Sequence, residues 1–434
     1  MLRLILSPSV GGTAGYLYDA VAALASSGGE AVLIVPEQYS FAAERIVLER
    51  LGTADAQRVE VLSFTRLANT VFNSVGWDKG KRLNEAGKIL LMSRALEQCA
   101  DKLTVYARSA DSPAVVRELL VLSEEFCQCA ISSEDIVSAM YNMEEGLLKD
   151  KLGDISLVFS VYDSFVSDGW LDDSRMLTRL KDKLAESGYF KNKTVFFDSF
   201  RGFTAQEFGI IGKILTQADD VCVALNAPDL TDVGSDDIFY HTKNTAKKLI
   251  KIANSVDVPC AKSVTVNEPN SNAALDALAK DFLSPEADVF EGECGSIAVV
   301  AAPDIRSECA FIAAQIKKML RTGEYRSRDI AVIVRDDKSY IRPMMTALAK
   351  CGVPVFEDRR QPVINQPLMT LVRAELKIAD TGFDTDSVLR ALKTGLCPLE
   401  ADEVSDIENY TYLWQINGSG WLKKWESSPD GFGE

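Results

Sequence analysis

Histidine is nearly missing from this 434-residue sequence, with His241 standing alone. The nine cysteines are odd in number and scattered: Cys99, Cys127, Cys129, Cys222, Cys260, Cys294, Cys309, Cys351 and Cys397. No C-x-x-C pair occurs, and one histidine cannot complete a Cys/His zinc set of ordinary type. Free thiols in a reducing cytoplasm are the expectation. No apolar run reaches the ~20 residues of a membrane span. The opening stretch Met1–Ser7 lacks the long apolar core and small-residue cleavage site of an export signal, and it reads as a strand. Positive charge is also short. Lys and Arg total 47 against 63 Asp and Glu, a net charge of −16. That argues against a general polyanion-binding surface, while leaving room for a local basic or stacking groove. Internal repeats and low-complexity segments are absent.

What is present is ordinary for a globular protein: 47% apolar and 25% charged residues, at a length that predicts two to four domains with sizeable cores. Short apolar strands alternate with helices at the start. LRLIL (2–6), AVLIV (31–35) and RVEVLS (58–63) read as strands, each followed by an amphipathic helix. This is the pattern of a parallel sheet with crossovers. From about Asn84 to Ser187 the strand signal vanishes and apolar residues recur at helical spacing, as in KILLMSRALEQC and ISLVFSVYDSFV. Strands return at TVFF (194–197) and Val221–Leu225. A second alternating block follows, with strands predicted at Ser296–Ala301, Ile330–Val334 and Val353–Phe356 and helices at Glu308–Leu320 and Ile341–Lys350. The expected division is a first α/β domain (1–80 and 191–290) interrupted by a helical insertion (81–190). A second α/β domain (291–383) and the start of a further helical insertion (384–434) come after it. The closing SSPDGFGE marks no domain end, so the sequence reads as a piece of a longer chain.

Ligands on parallel sheets sit at the C-terminal strand ends. The first of these ends has the strand–glycine loop–helix context of a phosphate loop. Laid over G-x-x-x-x-G-K-[ST], it reads Ser7-Pro8-Ser9-Val10-Gly11-Gly12-Thr13-Ala14. Thr13 replaces the lysine that reaches the β- and γ-phosphates, and Ala14 replaces the hydroxyl that holds Mg²⁺. Ser7 replaces the first glycine. Phosphoryl transfer depends almost entirely on positioning and electrostatics, which a neutral threonine does not supply. The strand end at Asp198 is followed by Ser199, so a second carboxylate for metal and water is missing, and the lone Asp198 reads as a cap. Arg335, ending IAVIVR, is a candidate phosphate contact from the second block. The acidic pairs Asp172-Asp173, Asp219-Asp220, Asp236-Asp237 and Asp336-Asp337 read as solvated turns and caps. Arg359-Arg360 is a candidate contact to a nucleic-acid backbone, with a surface pair as the competing reading.

Taken together, LIVPEQYSF (33–41), VLSFTRLANTVF (61–72), FFDSFRGFTAQE (196–207), IAVIVRDDKSY (330–340) and VPVFEDRRQPVINQPL (353–368) resemble the AddB (RexB) family. LKTGLCP (392–398) and IENY (407–410) continue the match, so the resemblance runs through nearly the whole sequence. Members of this family are subunits of bacterial double-strand-break repair helicase–nucleases. The resemblance implies an α/β architecture of two RecA-like, superfamily-one helicase-like domains with a helical insertion. It also implies an AddA-type motor as partner, single-stranded and duplex-end DNA as ligand, and a part in recognising a recombination hotspot. The family's iron–sulfur cluster belongs to a nuclease region beyond this sequence, so no cofactor is expected here and ATP·Mg²⁺ binding is not supported by the loop. No catalytic residue is assigned.

The family's hotspot-reading positions carry over to Gln38 and Ser40 in PEQYS, Phe64 and Arg66 in SFTRLA, and Phe203 in SFRGFT. Aromatic faces stack on unpaired bases, while Arg and Gln read base edges. Asn69 and Ser40 depart from the aromatic and Thr that relatives carry there. For Phe64 and Phe203 the competing reading is core packing. For Gln38 and Arg66 it is a helix-start or interdomain hydrogen bond. Two alternative functions stay open: a divergent ATP-dependent DNA motor, and a purely structural partner of AddA.

Overall fold

The computed structural model describes residues 1–9, 11–77, 80–266, 272–282, 287–357, 363–429 and 431. The chain divides into two compact units, Met1–Ile297 and Ala298–Glu434.

The first unit begins with β1 (Leu2–Ser7), α1 (Ala14–Ser26), β2 (Glu30–Ile34), α2 (Ser40–Ala56), β3 (Val59–Leu62) and α3 (Phe64–Val75). A short ribbon strand, β4 (Lys81–Arg82), leads into α4 (Glu85–Cys99), α5 (Pro113–Gln128), α6 (Ser133–Tyr141) and α7 (Leu147–Ser167). The ribbon is completed by β5 (Trp170–Leu171), and α8 (Met176–Ser187) returns the chain to the sheet. Then come β6 (Lys193–Phe197), α9 (Ala205–Gln217), β7 (Asp220–Asn226), α10 (Tyr240–Ser255), β8 (Val264–Thr265) and α11 (Ala273–Asp281). The main sheet has the order β3-β2-β6-β7-β1-β8, and every pairing in it is parallel.

Side chains alternate across a strand, so each strand feeds two cores. Along β6, Val195 and Phe197 join Leu4, Val223 and Ile211 on one face. Phe196 joins Leu17, Tyr18 and Val47 under α1 and α2 on the other. This double burial is why the strands read as continuous apolar runs. The helical block between β3 and β6 keeps a core of its own, built on Met92, Leu96, Leu119, Phe159 and Tyr162.

A buried ionic cluster ties the helices of that block to the turn that leads into α8. Asp172, only 2% exposed, takes an ion pair from Lys88 Nζ at 3.0 Å and accepts the Ser174 amide at 3.0 Å. Lys88 also reaches Glu124 at 2.8 Å, and Arg175 pairs with Asp163. Burial alone would raise the Asp172 carboxyl, but the hydrogen bonds from Lys88 and Ser174 overcome it and hold it below the usual range. Asp172 is therefore a cap, as its pair with Asp173 suggested, but a buried anchor and not a solvated one. Nothing in its local sequence points to the Lys88 ammonium 84 positions earlier (172 minus 88). Gln206 of α9 completes the tie, donating to Thr178 Oγ1 of α8 at 2.9 Å.

The second unit holds α12 (Ile305–Thr322), α13 (Asp337–Cys351), α14 (Pro367–Thr381), α15 (Thr385–Leu392) and α16 (Ala401–Leu413). The helices α12 and α13 pack on a small core of Cys309, Ala313, Ile316, Met344 and Leu348. Here the strand expectation departs from the structure. Among the described residues, 296–301, 330–334 and 353–356 carry no strand. A strand exists through its ladder, and these segments find no ladder partner among the described residues. Several of their apolar side chains stay in the open, with Val299 96%, Ile333 93% and Phe356 88% exposed. The Arg359-Arg360 pair lies outside the described residues.

Candidate nucleic-acid interface at the strand ends

Because the main sheet is parallel, the chain leaves each strand at the same edge, and the singled-out segments of the first unit gather there. At the end of β1 the chain folds in on itself. Ser7 is fully buried, and its Oγ lies 3.1 Å from Ser9 Oγ and accepts the Ser9 amide at 3.3 Å. The Gly12 amide donates to the Ser9 carbonyl at 3.2 Å, and the Ala14 amide to the Gly11 carbonyl at 3.0 Å. A Cβ on Gly12 would come within 2.2 Å of Ser7 Oγ and 2.4 Å of Ser9 Oγ. The turn's interior is thus filled by its own hydroxyls, and two of the amides a phosphate would want are already spent. Thr13 is buried where α1 begins, with no side-chain cap bond, and Ala14 is half-buried.

The next loop presents some residues and withdraws others. After Pro36 a single helical turn, Glu37–Tyr39, leads into α2. Gln38 is exposed. Ser40 is buried and its hydroxyl donates back to the Pro36 carbonyl at 3.5 Å. Phe41, within the motif but not singled out, is 78% exposed. At the start of α3, Ser63 Oγ accepts the Arg66 amide at 3.2 Å and caps the helix. The Arg66 side chain is itself exposed, its guanidinium paired with Glu44 at 2.6 Å.

Phe64 turns inward. It is 6% exposed and meets Phe203 edge-on at 6.3 Å, with Phe197 at 6.2 Å and Phe200 at 5.8 Å. Edge-to-face aromatic pairs of this kind are worth about 0.5–1.5 kcal/mol beyond area burial. Phe203 is half-buried in the same cluster. Of the five carried-over positions, Gln38 and Arg66 face solvent. Ser40 and Phe64 face the interior, and Phe203 lies between. Arg335 is exposed in the second unit.

The end of β6 holds an arrangement that sequence reading missed. Asp198 follows Phe197 and, by alternation, points to the α1/α2 face. It is 4% exposed. It is no helix cap: its Oδ2 has no hydrogen-bond partner, and neither does the buried Tyr18 Oη. Tyr18 of α1, Tyr39 of the 37–39 turn and Asp198 influence one another electrostatically. Burial pushes the Asp198 carboxyl up, against the Ser199 backbone and hydroxyl, which hold it down. Burial, then the Asp198 charge, push both phenols up as well. Ser199 sits at φ +64, a left-handed turn that is uncommon outside glycine and swings Phe200 and Phe203 toward Phe64. The available signal was the tyrosine inside PEQYS itself.

One cation stands near the end of β7. Lys243 of α10 is 3% exposed and pairs with Asp229 at 2.8 Å. That contact, with Thr231, pulls the Asp229 carboxyl down to about 2. Among the described residues no group of three or more His, Cys, Asp or Glu side chains is arranged to hold a metal. Burial pushes the Cys222 thiol up to about 11. No helix among the described residues is long and apolar enough to cross a membrane.

A family model described as "ADDB, N-terminal" matches residues 4–280. A Caldanaerobacter subterraneus subsp. tengcongensis protein, named as the B subunit of an ATP-dependent helicase/deoxyribonuclease, is 29% identical over 405 residues, covering 92% of this chain and 35% of the relative. Relatives of the same name occur in Clostridium novyi, 30% identical over 401 residues, and Acetivibrio thermocellus, 28% identical over 408 residues. They are covered to 35% and 36% of their lengths, by 91% and 92% of this chain. The chain thus spans little more than a third of the curated relatives it matches.

Proposed function

Because this chain belongs to the ADDB N-terminal family, we propose that it is the strand-guiding, non-motor portion of an AddB-type subunit in a bacterial double-strand-break repair helicase–nuclease. Single-stranded DNA runs along the C-terminal edge of the main sheet. Gln38 reads base edges there, Arg66 contacts base or phosphate after releasing Glu44, and Phe203 offers its accessible ring edge. An AddA-type subunit supplies translocation. Hotspot recognition falls to the same edge. The helicase-like reading extends to a second RecA-like domain over residues 291–383, in which Arg335 is the candidate phosphate contact.

The observation that carries the non-motor reading is the turn after β1. Its hydroxyls crowd the interior of the turn, and its position 13 offers no positive charge. An ATP motor needs a lysine reaching the phosphates and a Mg²⁺-holding hydroxyl. Neither residue type stands at those positions.

The experiment has two arms. Steady-state ATP turnover of the 434-residue chain with saturating Mg-ATP and oligo(dT) should stay at blank. Anisotropy of a labelled oligo(dT) should report length-dependent binding, weakened by Arg66→Ala and Gln38→Ala. DNA-stimulated turnover abolished by Thr13 substitution would overturn the non-motor reading. Binding identical in all three proteins would overturn the groove assignment.

A second reading, an AddA-docking scaffold that touches no DNA, draws support from the net charge of −16 and the inward-facing Phe64 and Ser40. A photoreactive oligonucleotide crosslinking to residues 36–41 or 61–66 would eliminate it.

A further inference from the structure

The helix α10 runs against the acidity of the chain. Over Tyr240–Ser255 it carries Lys243, Lys247, Lys248 and Lys251 and no acidic residue, in a sequence whose net charge is −16. Residues four apart are neighbours on a helix surface. Lys243, Lys247 and Lys251 therefore form one row, rising about 6 Å at each step, with Lys248 beside it. The row begins at the strand-end edge, where α10 follows β7. Thr245 Oγ1 lies 3.4 Å from the Arg201 carbonyl oxygen, which sets this part of the helix against the loop that carries Phe200 and Phe203. Lys248 Nζ stands 5.6 Å from the centre of the Phe208 ring, and Phe208 meets Phe203 edge-on at 5.5 Å. The lysines thus continue from the half-buried ring of Phe203 along α10.

A segment of opposite charge lies over the start of this row. Residues 229–237 (DLTDVGSDD), between β7 and α10, hold four aspartates and no Lys or Arg. Lys243, 3% exposed, pairs with Asp229 at 2.8 Å and donates to Thr231 Oγ1 at 3.2 Å. The Thr231 hydroxyl in turn donates to Asp229 Oδ1 at 2.6 Å, and Leu230 rests half-buried against the core. One turn further along α10, Asp232 pairs with Lys247. The two attachments differ in strength. The Asp229 end is held by a buried ammonium and a half-buried leucine. Asp232 is 92% exposed on a lysine that is 39% exposed, and exposed ion pairs contribute little. The segment is a strap with a fixed end at Asp229 and a free end at Asp232.

We propose that Lys247, Lys248 and Lys251 bind the phosphate backbone of the single strand, and that Asp232 holds the place of a phosphate on Lys247 until DNA displaces it. This extends the strand-guiding reading, on which it rests, by carrying the path from Phe203 onto α10. A row of lysines free of acids on its own helix gives a local positive field inside an acidic chain, and binding of a strand responds to the local field. The carboxylate of Asp232 competes for Lys247 with any single anion. A strand brings several phosphates at once, so its contacts at Lys248 and Lys251 favour the exchange at Lys247.

Anisotropy of a labelled oligo(dT) on the 434-residue chain, repeated over a series of salt concentrations, tests both parts. Each phosphate neutralised on a single strand contributes about −0.7 to the slope of log K against log salt. Lys248→Gln combined with Lys251→Gln should weaken binding and make that slope shallower by about 1.4. Asp232→Asn should tighten binding about threefold, the scale of an exposed ion pair. Glu134→Gln, which removes the same charge from an exposed position in α6, should leave binding unchanged. In a Lys247→Gln background the Asp232→Asn gain should vanish, because the two residues act as one unit. An unchanged slope in the Lys248 and Lys251 variant overturns the site. An Asp232→Asn gain that Glu134→Gln matches, or that survives in the Lys247→Gln background, overturns the strap. In each case the strand-guiding reading stands if Arg66→Ala and Gln38→Ala still weaken binding. If those two bind like the parent while the lysine variant loses affinity, the groove assignment falls and the α10 site stands. If neither the parent nor Asp232→Asn binds oligo(dT), both fall.

Discussion

The ionic junction within the helical block, and the end of β6, each bury one aspartate almost completely. Asp172 is 2% and Asp198 4% exposed. Desolvation disfavours the charged form in both places. At the junction the Lys88 ammonium stands 3.0 Å away and the carboxyl is held low. At the strand end no cation among the described residues answers, one oxygen is orphaned, and the carboxyl is pushed up. The same side chain at the same depth is a fixed anchor in one region and an unsettled group in the other. Burial sets the cost of an acid, and the partner within about 4 Å decides whether the fold uses it for rigidity.

The sharpest way to break this comparison is to take the cation from the junction. Lys88→Met leaves Asp172 buried without its ammonium, and unfolding in urea should show a loss of about 3–5 kcal/mol. A loss below about 1 kcal/mol, in the range of surface pairs, would mean the junction is not a buried anchor. Phe64→Ala tests the apolar counterpart beside the end of β6, with an expected loss of about 3–5 kcal/mol by the same assay. A near-neutral result would put Phe64 back among exposed stacking residues.

Asp198→Asn sharpens the comparison in the opposite direction. With a raised carboxyl, the stability that Asp198 supports is complete below the ordinary carboxylate value. It is lost as pH rises through the raised one. Asparagine removes that loss, so the variant should gain on the order of 1–3 kcal/mol at pH 8 and little at acid pH. A stability–pH curve parallel to the parent's would refute the assignment.

The smallest effect belongs to Asp229, exposed beside Lys243. Its contribution is present above the ordinary value of 3.8 and fades as pH falls toward about 2. Asp229→Asn should therefore flatten only the acid limb of the curve, leaving the neutral midpoint nearly unchanged.

Several elements were legible because their physics is local. The apolar runs at 2–6, 31–35 and 194–197 became β1, β2 and β6 within a residue or two, since a strand buried on both faces cannot hide its composition. The helical block was equally plain from its period. The phosphate-loop departures at Ser7, Thr13 and Ala14 were visible as residue identities. What failed did so for non-local reasons. Val299, Ile333 and Phe356 have strand composition, yet a strand needs a neighbour that composition does not name. Phe64 carries a stacking side chain, but whether it meets a base or Phe203 depends on the left-handed turn at Ser199. Asp172 and Asp198 look alike in sequence, each an acid among turn residues, and only the fold tells them apart.

The order of side-chain types along this chain settled where backbone could be buried and which phosphate-binding groups were missing, because periodicity and residue chemistry need no knowledge of distant neighbours. The pairing of Lys88 with Asp172, the gathering of Phe197, Phe200 and Phe203 around Phe64, and the orphaned carboxyl of Asp198 came only with the folded chain. Each depends on groups brought together across long stretches of chain, where Coulomb and packing forces act through space and leave no mark on sequence spacing.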